Sequence, residues 1–311
     1  MDTLNGFDLA AVPISFWFLF ASIISLWLIP FWQAWSALFA TALIAGFAES
    51  FLHWPAIPFI LWAGLTCFWL GQRLFEGKHY QQLCNSRPRL ARSLTVFANI
   101  SFIALAIGLG SHKLPGFDSY SVVRGLQLHQ EAPETGIRFH FDKAVIGFFY
   151  LVFCVTLIRG LKEWANTLKQ TALVVAGSIA GAFIIGRLFG YVTFDPVFSS
   201  YFFAFLLANL LVTSVAEEAI FRGWIQRGLS RRWVEKKNGD YLALGVTSVL
   251  FGLAHLWGGI GLFIGATLAG LGYGYAYMKT QRLEAAIVAH FAFNGIHFTF
   301  FTYPYWTPTT Q

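Results

Sequence analysis

Long apolar runs separated by short polar breaks recur from one end of the chain to the other. Ten stand out, at 12–31, 34–51, 55–73, 93–111, 143–159, 170–189, 200–221, 241–256, 259–278 and 284–303. A helix needs about 20 residues to cross the roughly 30 Å hydrocarbon layer of a bilayer. Each run is therefore a candidate span, the shorter ones tilted or half-buried. The fold class expected is all-α, a polytopic transmembrane helix bundle of about ten spans. Trp17, Trp27, Trp32, Trp35, Trp54 and Trp62 gather toward the ends of the first three runs, where indole rings favour the membrane interface.

One segment breaks the pattern. At 111–142 the chain mixes charges with Pro115 and Pro133, and two alternating stretches, 122–129 and 137–141, flank the turn-like EAPETG. Period-two alternation around a Pro/Gly turn predicts a β-hairpin, here a short loop on the outer surface of the membrane. His112, His129 and His140 lie in it. Alternation leaves them no tight ligand spacing, so they are expected to be solvated or interfacial rather than metal ligands.

Composition supports a membrane protein: 57% of the 311 residues are hydrophobic and 12% charged. The net charge of +6 could suggest a nucleic-acid partner, but its distribution does not. Lys and Arg concentrate in the short loops 73–92, 159–169, 227–240 and 279–283, as the positive-inside rule predicts for cytoplasmic loops. No nucleic-acid binding is expected. If the spans alternate, the four basic loops share one side, both chain ends lie outside, and Glu217 and Glu218 fall near the cytoplasmic end of their helix. Cys67, Cys84 and Cys154 show neither disulfide nor metal spacing. The acidic first residues, with no Lys or Arg before Arg73, read as the start of an uncleaved first span. Glu49 and His53, four apart at the end of the second run, are expected to pair structurally, and His297 has no such partner.

The stretch TSVAEEAIFRGWIQ, residues 213–226, then places Glu217, Glu218 and Arg222 at the end of an apolar run. A charge at the centre of a membrane helix costs about 2.5–3.5 kcal/mol on insertion scales, so such groups normally face a protein interior or a watery cavity. Glu218 and Arg222 are four apart and share a helix face, while Glu217 lies about 100° around it. Two later runs carry Phe251-x-x-x-His255 and His290-x-x-x-Asn294. Singly, these polar groups would serve as interhelical glue or as charges reaching the headgroups. Together, three nearby helices carrying six such groups point to one interior polar site.

The ordered motifs Glu217-Glu218-x-x-x-Arg222, Phe251-x-x-x-His255 and His290-x-x-x-Asn294 resemble those of the CAAX protease and bacteriocin-processing family (CPBP, also called ABI), which includes the type II CAAX prenyl endopeptidases. The resemblance spans about 170–303. It implies a catalytic transmembrane core at 161–311, preceded at 1–160 by an N-terminal transmembrane region with the outer-side loop 111–142. It also implies an intramembrane endopeptidase acting on a membrane-anchored protein or peptide in the lipid bilayer, near the cytoplasmic face. Glu217, with a proton affinity raised by burial beside a second carboxylate, would activate water that His255 helps to hold. His290 and Asn294 would serve the oxyanion, and Glu218 with Arg222 would fix the geometry.

No cofactor is required in that mechanism. The alternative is Zn²⁺ held by Glu217, His255 and His290, disfavoured because no HExxH-type pair lies on one helix. A different class, a non-proteolytic membrane binding, scaffold or transporter-like protein, would use the same cavity without cleavage. A transporter should line a continuous path with polar groups, whereas here they gather in the last spans. A bacterial inner membrane is the expected location.

Overall fold

The computed structural model describes residues 7–306, so the first acidic residues of the chain lie outside the described part. Eleven helices and two strands are present among these residues. They are α1 (Ile14–Leu28), α2 (Trp32–Ala48), α3 (Ala56–Leu74), α4 (Lys78–Ser86), α5 (Pro88–Gly110), β1 (Ser119–Leu126), β2 (Thr135–His140), α6 (Phe141–Cys154) and α7 (Leu161–Leu188). The continuous helix α8 (Phe202–Arg232) follows, then α9 (Gly239–Ala254), α10 (Gly259–Thr280) and α11 (Leu283–Phe300).

Among the described residues, four helical stretches are long and apolar enough to cross a membrane by themselves: α5, α7, α8 and the 256–280 stretch that contains α10. Helices α1, α2 and α9 are apolar but shorter. The expectation of about ten spans thus resolves into four full-length candidates and several shorter helices. The reason lies in backbone breaks that an apolar run hides. The run 143–159 is helical only to Cys154 and then extended. The run 200–221, by contrast, continues as helix through the basic residues to Arg232.

Hydrogen bonds tie each end of the bundle together. At the basic end, Arg159 Nη1 donates to Leu26 O (2.8 Å) and Arg227 Nη1 to Cys154 O (3.0 Å). Arg282 pairs with Glu163, and Glu284 Oε1 accepts from Ile158 N (2.7 Å) and Trp27 Nε1 (3.1 Å). At the other end, β1 and β2 pair antiparallel with Ser119 opposite His140 and Leu126 opposite Thr135. His53 pairs with Asp118 (3.0 Å), His129 with Asp195 (2.8 Å), and Trp306 Nε1 donates to Glu131 Oε2 (2.7 Å).

Glu49 and His53 do not pair with each other. Helix α2 ends at Ala48 and Ser50 takes a positive φ of 63°, so the four-residue spacing no longer defines a helix face. Glu49 instead accepts from Ile14 N (2.9 Å) and Ser15 N (3.1 Å), satisfying the free amides at the start of α1. His129 is buried rather than solvated, because Asp195 from a distant loop takes its ring nitrogen.

One core of buried side chains runs from Val12 to Phe298 and crosses the 160/161 boundary. Helix α6 is the join. A Cβ on Gly147 would sit 3.1 Å from the backbone of Ala216 and 3.0 Å from Val215 Cγ1, so the missing side chain is what lets α6 lie directly against α8. That contact sets the height of Lys143 beside Glu217.

Candidate active site

Helix α8 is irregular where the carboxylates sit. The residues 208–214 and 219–226 form wide π-type turns, and Glu217 and Glu218 occupy the four-residue α-helical link between them. Such turns are uncommon and concentrate at functional sites. Glu217 stands 15 residues from either end of this helix, about 22 Å at a helical rise. The glutamates are therefore at mid-helix, not near the basic end as the run 200–221 suggested.

Glu218 and Arg222 form a fully buried pair, Nη1 to Oε1 3.0 Å. The arginine is held further by Gly270 O (2.9 Å from Nη2), and its guanidinium carbon lies 4.6 Å from the Phe251 ring centroid and 5.3 Å from that of Tyr273. A Cβ on Gly270 would stand 3.1 Å from Arg222 Nη2, so the glycine makes room for this seat. His290 Nδ1 lies 2.8 Å from the same Glu218 Oε1, and its ring stacks on Tyr273 at 4.7 Å and 10°. Glu218 Oε1, which accepts from Arg222, accepts from Nδ1 as well, and His290 Nε2 is turned the other way, to 3.9 Å from Glu217 Oε2.

His255 caps α9 rather than lying within it, with φ −102° and ψ 3°. Its Nδ1 donates to Phe251 O at 2.8 Å, since a carbonyl can only accept. This fixes the tautomer and presents Nε2 to Glu217 Oε2 at 4.0 Å. The F-x-x-x-H spacing thus has a specific meaning: residue 251 supplies the carbonyl that orients residue 255.

Glu217 Oε1 accepts from Lys143 Nζ at 2.7 Å, and both side chains are 16% exposed. Its Oε2 is buried without a hydrogen-bond partner among the described residues. The two imidazole Nε2 atoms flank that oxygen. Glu217, His255 and His290 border a cavity of about 430 Å³, also lined by Thr213, Asn294 and His297. Glu218 and Arg222 do not line it; they form the layer behind. Five of the six sequence-predicted groups are joined through contacts to Glu217 or Glu218, and Asn294 lines the same cavity one turn beyond His290.

Lys143 carried no readable signal of this role. It heads an apolar run beside Asp142, where a charge reads as an interface residue, and 74 positions separate it from Glu217. Its presence changes the electrostatics expected at Glu217, whose nearest charge is an ammonium rather than the second carboxylate. Tyr273 was equally hidden, as one aromatic residue in the apolar run 259–278.

The proposed zinc set meets that ammonium. Tetrahedral ligands about 2.0–2.1 Å from zinc stand roughly 3.3 Å apart, whereas Glu217 Oε2 is 4.0 and 3.9 Å from the two imidazole nitrogens. A dication would also share its carboxylate with Lys143. As they stand, the three atoms are spaced about 0.6 Å wider than a closed tetrahedral zinc set. Among the described residues, the group whose possible ligand atoms all lie within 4.8 Å of one another is His112, His140 and Asp142. The turn after α5, the end of β2 and the start of α6 bring these residues together, which the alternating pattern alone could not show.

Residues 199–296, which contain all three motifs, match the family model described as type II CAAX prenyl endopeptidase Rce1-like. This is the family that the motifs resemble. No curated protein and no solved structure matches the chain.

Proposed function

For a chain whose residues 199–296 carry the type II CAAX prenyl endopeptidase (Rce1-like) signature, we propose a glutamate-activated intramembrane endopeptidase. The observation that carries this reading is Glu217 Oε2, a buried carboxylate oxygen without a hydrogen-bond partner among the described residues, facing His255 Nε2 and His290 Nε2 across a cavity. Water bridges two polar atoms 4.0 Å apart at ordinary hydrogen-bond lengths. Between Glu217 Oε2 and His255 Nε2 it can donate a proton to each, which leaves an oxygen lone pair for a carbonyl carbon.

Glu217 takes one proton as the water oxygen bonds to the scissile carbonyl. The carbonyl oxygen becomes an oxyanion, and Asn294 Nδ2 and His290 Nε2 are the groups placed to donate to it. Because His290 donates from Nδ1 to Glu218, a second donor at Nε2 requires the imidazolium form. A preorganised donor of this kind contributes about 2.7–4 kcal/mol to the barrier. Glu217 then returns its proton to the leaving amine as the C–N bond breaks. Lys143 is a positioning residue: by holding Oε1 it turns Oε2 toward the water. The substrate is a membrane-anchored protein or peptide, and the chain is an integral membrane protein for which a bacterial inner membrane is the proposed location.

The test is cleavage of membrane-anchored reporter peptides by purified protein, with product ends identified by mass spectrometry, with and without a chelator. Chelator-resistant cleavage that depends on Glu217 supports the glutamate mechanism. Cleavage lost to the chelator and restored by zinc would return Glu217, His255 and His290 to ligand roles. Intact ligand-stabilised protein that cleaves no reporter would favour the non-proteolytic reading.

A further inference from the structure

Among the described residues, the active cavity extends away from the basic loops. The cavity that holds Glu217, His255 and His290 extends to residues 189–192, 258–262 and 304–306. These are the segments that follow α7, open α10 and follow α11, all at the hairpin end of the bundle. Trp306 N donates to Tyr191 O (2.8 Å) and Trp306 Nε1 to Glu131 Oε2 (2.7 Å), so the rim is bonded directly to the hairpin loop.

Toward the basic end the same site is closed. Directly beneath Glu217 lies the Glu218–Arg222 pair, with both side chains at 0% exposure. One turn further, Gln226 is 1% exposed and its Nε2 donates to Gly274 O at 2.9 Å. Ser248, Phe251 and Tyr273 are buried around this layer. A separate recess of about 390 Å³ at the basic end, bordered by Gln226, Arg227 and Tyr277, shares no lining residue with the active cavity. Opening a path through the layer would leave a buried charge without its partner.

Lys and Arg in short loops mark the cytoplasmic side, and here they occupy the closed end. We infer that the substrate enters from the outer face, so that the polypeptide cleaved is one already moved across the membrane, anchored by an apolar segment, with its scissile bond at or just below the outer surface. This reverses the expectation of cleavage near the cytoplasmic face, and it rests on the endopeptidase reading of the site. The rim residues Phe189, Tyr191, Ile260, Leu262, Tyr305 and Trp306 are apolar or aromatic, which suits a partly membrane-buried stretch of chain better than a charged soluble loop.

Two measurements decide it separately from the chemistry. In intact cells, a Tyr305→Cys variant is treated with a membrane-impermeant maleimide, with Ile260→Cys as a second rim position. Tyr305 and Ile260 are 39% and 58% exposed. Native Cys84, half-buried in α4 among the basic loops, is the opposite-face control. Rim cysteines labelled from outside, with Cys84 labelled only after permeabilisation, are the expected result; the reverse pattern at both rim positions overturns the inference. The second measurement presents one reporter sequence on either side of the same apolar anchor. Glu217-dependent cleavage of the outward-facing reporter alone supports the proposal, and cleavage of the inward-facing one contradicts it. If neither is cut, the endopeptidase reading fails while the labelling result still decides the face of entry.

Discussion

Replacing Lys143 with Met keeps the unbranched side chain up to its last atom and removes the ammonium from Glu217. The pair has an N–O distance of 2.7 Å with both side chains 16% exposed, between the fully buried and the surface case. Unit charges about 4 Å apart attract by about 4 kcal/mol at an effective dielectric constant near 20. Breaking a fully buried pair costs about 3–5 kcal/mol, and an exposed pair contributes about 0.2–1 kcal/mol. An intermediate loss of about 2 kcal/mol follows for Lys143→Met, roughly 4 °C in thermal midpoint for a chain of this size. Glu217→Gln should lose a similar amount, by leaving Lys143 unpaired. The double variant should lose less than the sum, with a coupling of about 2 kcal/mol. Thermal unfolding of the four proteins in one detergent measures this. Activity separates positioning from mere stability. A carboxylate free to turn misplaces its water, and misplacement by about 1 Å costs on the order of 100-fold, so Lys143→Met should lower kcat with little change in KM, and Lys143→Arg should recover part of it. Additive stabilities with an unchanged kcat would refute the role given to Lys143.

Other outcomes follow from the same geometry. Glu218→Gln or Arg222→Met leaves one fully buried charge without its partner and should cost about 3–5 kcal/mol, seen as a lowered thermal midpoint, with the paired replacement less damaging than either single one. Asn294→Ala should lower kcat by about 100- to 1,000-fold at nearly constant KM if its amide serves the oxyanion; steady-state kinetics on a cleaved reporter measure this. Gly147→Ala pushes a methyl to 3.1 Å from the Ala216 backbone and should cost about 1–3 kcal/mol, with activity falling further than stability because Lys143 moves with α6. Chelator treatment should leave the cleavage rate within about twofold.

Much of this site was legible in the sequence because membrane burial makes polar groups conspicuous. Glu217, Glu218, Arg222, His255, His290 and Asn294 stood out against apolar runs, and helical spacing correctly paired Glu218 with Arg222. What stayed hidden depends on contacts between distant segments. Lys143 reaches Glu217 only because Gly147 lets α6 lie against α8. Glu49 and His53 have the spacing of a pair, yet a turn at Ser50 sends them to different partners. Run length was also a poor guide to helix length. Extending α8 to Arg232 puts the glutamates at its centre, and this, with the cap position of His255, moves the opening to the hairpin end. The wide turns flanking Glu217 have no signature in composition, since the residues that form them would suit an ordinary helix.

Every step proposed for the reaction depends on Glu217 as the base that activates water. The most direct test of that role is the single-turnover cleavage rate of Glu217→Gln against wild type, in protein whose thermal unfolding shows an intact fold. A neutral amide cannot accept the water proton, so a loss of about 1,000-fold is expected, within the roughly 100- to 10,000-fold that a general base contributes. A Glu217→Gln rate within about threefold of wild type would contradict it.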